Sequence, residues 1–453
     1  MTSDRGGSSV MAGRRIGGCI GGGRAMLPSL LVLVLLAGCG ARDVILPGLR
    51  EAVRADPAAF AGAAQPISLP ATTANTDWTH RNGGPDHRLS HPALPGTLGL
   101  AFVAPVGEGD SRRARITADP VVAGGRIFTL DARATVSAVS TGGALLWSVD
   151  VTPEVDGRND ASGGGLATDG ATVYVTTGFG RLSALDAATG GVRWTQDLDA
   201  PGGSSPTVAG DLVYVVARDS RAWALEKDTG RIRWQIGGLP SEQSFSGGAG
   251  VAVGQGMAIF PFPSGEVVAA FPEGGLTRWT AIIAGARPGQ SGAVGATDIA
   301  GDPVLDGDVL YVGNVAGRVA ALNVASGDRL WTATEGALSP VWPEGGALFL
   351  INDLNQLVRL NAADGSPVWR VPLPLFESDR PRRQNTRFAH YGPVLAGGRL
   401  IVASSDGVIR QFDPVSGAAL GDLALPGGAA SNPVVAGGAL YVMTQDGALA
   451  AFR

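Results

Sequence analysis

Histidine and cysteine, the side chains most apt for zinc binding and nucleophilic chemistry, are few in this chain of 453 residues, and their spacing limits what they could do. The four histidines are His80, His87, His91 and His390. His87 and His91 stand four apart in HRLSH, which on a helix would bring two imidazoles to one face, as in a zinc hydrolase. The glutamate such a motif needs between them is missing, and the surrounding NGGPDHRLSHPALPG is turn-forming, so no metal site is expected there. Asp197-Leu198-Asp199 is too short for a calcium loop. Neither a Gly-rich phosphate loop nor a Ser/His/Asp set at recognisable spacing appears, although a triad assembled from distant segments leaves no trace in sequence. The expectation is a chain without catalytic residues, metal or cofactor.

The two cysteines carry a different chemistry. Arg5, Arg14, Arg15 and Arg24 precede the apolar run Met26 to Ala37, which at about twelve residues is too short to span the membrane and reads as the core of a signal peptide. The run ends in Leu36-Ala37-Gly38-Cys39, which resembles the bacterial lipobox; that resemblance makes Cys39 the acylated first residue of the mature chain, with palmitate-type chains as its anchor. Gly40, rather than Asp, after the cysteine implies sorting to the outer membrane. Cys19 leaves with residues 1–38, so no thiol remains for a disulfide, a zinc cage or a nucleophile. That removal leaves a net charge of −8. With a sequence pI near 5.5, the chain offers no global positive field for nucleic acid. Residues 39–96 are Pro- and Ala-rich without sustained periodicity and read as the lipidated cysteine followed by a tether.

From about residue 97 to 453 a repeat takes over. Its clearest signature is Leu-x-x-x-x-Gly-x-x-x-Trp: LDAATGGVRW from Leu185, LEKDTGRIRW from Leu225, LNVASGDRLW from Leu322 and LNAADGSPVW from Leu360. Upstream of it each unit carries a segment such as SPTV or DPVL, a Gly-rich turn and a β-branched strand such as LVYVVA or VLYVG. Four short strands per unit make the blade of an all-β propeller. Trp147, Trp194, Trp234, Trp279, Trp331 and Trp369 each lie four residues after a glycine; in the seventh unit Gly421 stands where Trp is expected. The periodic placement assigns the tryptophans to packing between blades and not to ligand stacking, and the glycines to positive-φ turns. The last unit stops after three strands, and the orphan strand TLGLAFVAPVG from Thr97 has Phe102 in the Trp position. Pairing the two closes an eight-bladed ring, seven blades being the alternative.

Lipobox, tether and Gly-x-x-x-Trp blades together resemble the BamB-type lipoprotein of the outer-membrane β-barrel assembly machine, a member of the pyrroloquinoline-quinone-like repeat class. The resemblance implies a non-catalytic scaffold, lipid-anchored at the periplasmic face of the outer membrane. Its implied partners are the periplasmic domains of the central barrel component and other subunits of the machine. It also implies contact residues on two long inter-blade loops. The first acid of the family's Asp-x-Asp pair falls on Asp298, with Ala300 in the second place. The preceding contact falls on Gln243, Ser244, Phe245 and Ser246, with Phe245 as the apolar anchor and no arginine. Both loops are expected at the surface, on the face where the connections Ile236–Gly248, Thr280–Gly301 and Pro372–Gly392 vary most. The arginines from Arg380 to Arg387 form another candidate patch there. The alternative is a periplasmic quinoprotein-like oxidoreductase or a small-ligand-binding propeller. Relatives of the first kind hold their cofactor over a vicinal disulfide and a calcium ion, and this chain has no Cys-Cys pair.

Overall fold

The computed structural model describes residues 65–241, 247–287 and 298–453. Their strands form eight separate four-stranded antiparallel sheets, seven of them with their strands in chain order. Blade 1 is typical, with strands Val121–Ala123, Arg126–Leu130, Thr135–Ser140 and Leu145–Asp150 running from the axis outward. Blade 8 is composite: Val434–Ala436, Ala439–Met443 and Ala448–Phe452 are completed by Leu100–Pro105 from the other end of the chain. This is the eight-bladed propeller expected from the repeat.

The burial of each strand follows from its place in the blade. Second and third strands pack against neighbouring blades on both faces, so they are apolar without alternation; Ala347–Ile351 and Met257–Pro261 are buried throughout. Fourth strands have one face at the rim and alternate, as in Val192–Asp197.

The Gly-x-x-x-Trp motif turns out to be a joint between consecutive blades. Trp147, Trp194, Trp234, Trp279, Trp331 and Trp369 each project onto the glycine of the next blade's last hairpin, where a Cβ would fall 2.5–3.0 Å from an indole carbon. Gly365, at φ +71°, receives Trp331 in this way. Each indole Nε1 also donates to a carbonyl of that same turn, as in Trp331 to Ala362 O at 2.9 Å and Trp279 to Val324 O at 2.7 Å. Phe102 occupies the same seat against Gly143, so the orphan strand reads the code as expected. The exception now has a reason. Blade 7 is followed by blade 8, whose last hairpin is replaced by the chain ends, with Gly99 N donating to Arg453 O at 2.7 Å and Arg453 N to Gly99 O at 2.9 Å. No turn glycine exists there to receive an indole, and Gly421 stands in the Trp position.

The segment before the first full blade departs from the tether expectation. Residues 65–98 lie on the propeller, with Trp78, His80, His87 and His91 buried. From Asn75 onward this strap makes a complete circuit of the axis, meeting the blades in order. Gly437 N of blade 8 donates to Asn75 O at 2.7 Å, and Trp78 exchanges two backbone bonds with Val122 of blade 1. Thr168 N of blade 2 donates to Thr79 O, and Val208 N of blade 3 donates to His80 Nε2 at 3.0 Å. Val253 N of blade 4 reaches Pro85 O and Leu305 N of blade 5 reaches Asp86 O. Ser90 bonds Glu344 of blade 6, and Gly398 N of blade 7 donates to His91 Nε2 at 2.8 Å. Every contact falls on a first strand or on the turn after it, the parts nearest the axis. The correction has a physical cause. First strands end in unpaired backbone donors at the hub, and a Pro/Gly-rich chain with no ladder of its own supplies carbonyls and ring nitrogens to meet them.

Candidate functional site

In a blade of this topology, one face of the disc carries the turns between strands 1 and 2 and between strands 3 and 4. The other carries the 2–3 turns and the inter-blade loops. The strap closes the shaft on the first face. At the closure Trp78 stacks on Trp342, ring centroids 6.2 Å apart, both almost fully buried.

Arg81 reaches from the strap into the shaft. Its Nε meets Asp119 Oδ2 at 3.1 Å and its Nη1 meets Asp302 Oδ1 at 3.2 Å. Burial works against the guanidinium charge, but the carboxylates of Asp302 and Asp119 outweigh it and hold its pKa above the ordinary arginine range. Asp119 also accepts from Asn432 N and Nδ2, each at 2.8 Å, and Asp302 from Gly250 N at 2.7 Å. The plug is thereby tied into blades 1, 4, 5 and 8.

The histidines are committed to the same structural work. His87 Nδ1 bonds Pro303 O at 2.9 Å, and His91 Nδ1 bonds Pro70 O at 2.8 Å. Burial, then the nearby His87, lowers the His80 pKa from 6.5 to about 3, which keeps its Nε2 free of a proton to accept the Val208 amide. HRLSH is therefore a pair of backbone clasps facing different blades, not a metal-binding pair.

On the inter-blade face the blind shaft opens as a cavity of 220 Å³ with Arg81 at its floor and Asp119, Asn432, Tyr391 and Leu338 on its wall. Burial, with Asp110 and Asp119 nearby, pushes the Tyr391 hydroxyl pKa up, so it stays protonated. Gly247 and Ala300 also line this cavity, so the two loops singled out in the sequence converge at the axis. Gln243, Ser244, Phe245 and Ser246 lie outside the described residues, as do Cys19 and Cys39. Asp298 differs from expectation. It is 2% exposed, beside Ser204, Arg218 and Gly248 in a small cavity, and its carbonyl accepts Val315 N at 3.1 Å. The residue expected to present an acid at the surface is part of the packed loop base. Sequence reasoning missed Arg81, Asp119 and Asp302. The only hints were Trp78 and three histidines concentrated within a stretch that otherwise looks like linker.

The comparisons with known proteins agree with this architecture. The model of the family described as outer membrane protein assembly factor BamB matches residues 132–371 and 355–453. The assembly factor BamB of Shigella dysenteriae is 30% identical over 303 residues, which is 66% of this chain and 74% of that one. Among solved structures, BamB of Moraxella catarrhalis superposes with a TM-score of 0.65 at 19% identity, covering 79% of this chain and all of that one. The quinohemoprotein alcohol dehydrogenase of Pseudomonas putida HK5 superposes equally well at 0.65 with 16% identity, over 84% of this chain and 80% of that one. At such identities the superpositions speak for the propeller alone, whereas the sequence matches separate its branches: the chain belongs to the family of the outer membrane protein assembly factor BamB.

Proposed function

We propose that this chain is a non-catalytic scaffold of the machinery that assembles β-barrel proteins in the outer membrane. In this reading residues 1–38 are a lipoprotein signal, and acylated Cys39 holds the propeller at the periplasmic face. The inter-blade face binds the periplasmic domains of the central barrel component. Gln243, Ser244, Phe245 and Ser246 make the contact, and Asp298 fixes the base of the neighbouring loop.

Family membership supports the assembly role. The observation that carries the scaffold reading is the shaft, plugged by the strap at one end and reduced to a recess of 220 Å³ at the other. A propeller enzyme of the quinoprotein kind would place its working residues along the axis. Here the axis holds Trp78, Arg81 and His87, all engaged with the inner strands. That arrangement fits a rigid platform better than a cofactor cradle, and the chain's two cysteines, Cys19 and Cys39, cannot form a vicinal disulfide. The likeness of fold to the dehydrogenase keeps an oxidoreductase as the second reading.

The test is purification of the tagged chain from detergent-solubilised outer membrane, with identification of what co-elutes and an absorbance scan of the eluate. Co-elution of the barrel component without a visible chromophore is expected. A folded chain that returns no assembly subunit, or that carries a quinone-like absorbance, refutes the proposal.

A further inference from the structure

The connection between blades 6 and 7 is a built projection. Phe376 and Arg387 pair as an antiparallel bridge, Glu377 N donates to Thr386 O at 3.2 Å, and Phe388 N donates to Leu375 O at 3.1 Å. Two blades fasten its root. Asn355 Nδ2 donates to Phe388 O at 2.8 Å, and buried His390 bridges Pro374 O and Ser404 Oγ, each at 2.7 Å. The tip closes through a short 3-10 turn, Pro381–Arg383, with Arg383 N bonded to Arg380 O at 2.8 Å. The result is a short hairpin standing on the inter-blade face.

That hairpin presents four exposed arginines: Arg380, Arg382 and Arg383 at the tip and Arg387 on the stem. The Arg387 guanidinium lies 5.7 Å from the centroid of the Phe376 ring, which fixes its plane. None of the four is ion-paired with a carboxylate among the described residues, although surface arginines elsewhere are, as in Arg181 with Asp197 and Arg193 with Asp186.

From this we infer that the hairpin is a docking finger for an acidic segment of a partner protein. The inference rests on the reading of the inter-blade face as the partner face and names the chemistry of one contact on it. Arginine forks bind carboxylates two bonds at a time, and a stem already ordered by backbone bonds loses little entropy on docking. Composition favours a protein over a lipid surface. Glu377 and Asp379 sit among the arginines and reduce the hairpin's charge to +2, whereas segments that adsorb to anionic headgroups carry uninterrupted basic clusters.

The experiment uses the full chain in detergent and a fluorescent short peptide of alternating Asp and Glu, with binding read by anisotropy. Phosphatidylglycerol vesicles serve in a second arm. The variant is Arg380→Glu, Arg382→Glu, Arg383→Glu, three exposed tip positions. Peptide binding is expected to weaken at least about tenfold in the variant and to fall with salt in the parent. A peptide of alternating Lys and Arg should bind the variant better than the parent, which a misfolded hairpin would not produce. Equal binding of the acidic peptide by both proteins overturns the inference. So does vesicle capture by the parent, lost in the variant, without peptide binding. Neither arm contains any assembly subunit. Failure of the assembly reading would therefore show itself only in the co-purification above.

Discussion

Replacing one turn glycine separates the two jobs assigned to the glycine column. Gly365 sits at φ +71° in the last hairpin of blade 6, and Gly125 at φ +73° in the first hairpin of blade 1. An alanine at Gly125 would meet nothing within 4 Å, so Gly125→Ala should cost only the left-handed backbone penalty, roughly 1–2 kcal/mol. An alanine at Gly365 would place its Cβ 2.5 Å from Trp331 Cε3. The indole, itself nearly buried, must then move away from the turn. Overpacking of this kind costs about 1–3 kcal/mol, and losing the Trp331 bond to Ala362 O adds about 1 kcal/mol. Gly365→Ala should therefore be destabilised by about 3–6 kcal/mol, and the excess over Gly125→Ala isolates the inter-blade joint. Equilibrium denaturation in urea, followed by tryptophan fluorescence and circular dichroism, measures both. Equal destabilisation of the two variants would mean that the glycine serves the turn alone and that the indole seat contributes nothing.

Three further outcomes are expected. Trp78→Ala removes a buried indole from the strap and should destabilise the propeller by about 3–5 kcal/mol by urea denaturation, as large aromatic deletions do; a free linker would give no change. Acid should loosen the strap through His80. Its folded pKa is depressed to about 3 while the unfolded chain titrates near 6.5, so the unfolded state binds more protons between those values. The contribution is complete above pH 6.5 and is lost as pH falls toward 3, with about 2 kcal/mol gone by pH 5. Denaturation midpoints of parent and His80→Asn at pH 7.5 and 5 should diverge by that amount, and parallel curves would contradict the assignment. Cys39→Ser should shift the protein from the membrane pellet to a soluble or signal-retaining form, and unchanged acylation and fractionation would rule out Cys39 as the anchor.

The ring was legible because its logic is local and repeated. Trp, Gly and β-branched runs recur at fixed offsets, and each repetition reinforces the last, so blade count and Velcro-like closure followed from sequence. The missing tryptophan at Gly421 was visible as an exception, but its reason lay in which blade follows blade 7. The strap was not legible. Most of its partners are backbone amides and carbonyls of the blades, which carry no residue identity, and proline-rich chain reads alike whether solvated or docked. Asp298 shows the limit of transfer by resemblance. The resemblance put an acid there and its loop at the surface, but exposure depends on how the flanking loops pack, which a motif does not encode. Arg81 escaped because an arginine between two distant aspartates has no spacing to recognise.

The circuit made by the strap also decides how the molecule would respond to force. A pull on the chain upstream of Gln65 does not load the disc as a whole. It first meets the bonds of Arg359 to the carbonyls of Gln65 and Pro66, then the pairing of Pro70 and Thr73 with His91 and Ala93 at the strap's own far end, then the contacts to blades 8, 1, 2 and onward in turn. The attachments up to Asn75 are one or two hydrogen bonds each and yield first, whereas buried Trp78 and doubly ion-paired Arg81 hold longer, so the strap peels stepwise while the blades, joined by their tryptophans, stay assembled. Fully released, a segment of that length extends by roughly 100 Å. The hub can therefore act as a reel of slack that shields the ring from tension.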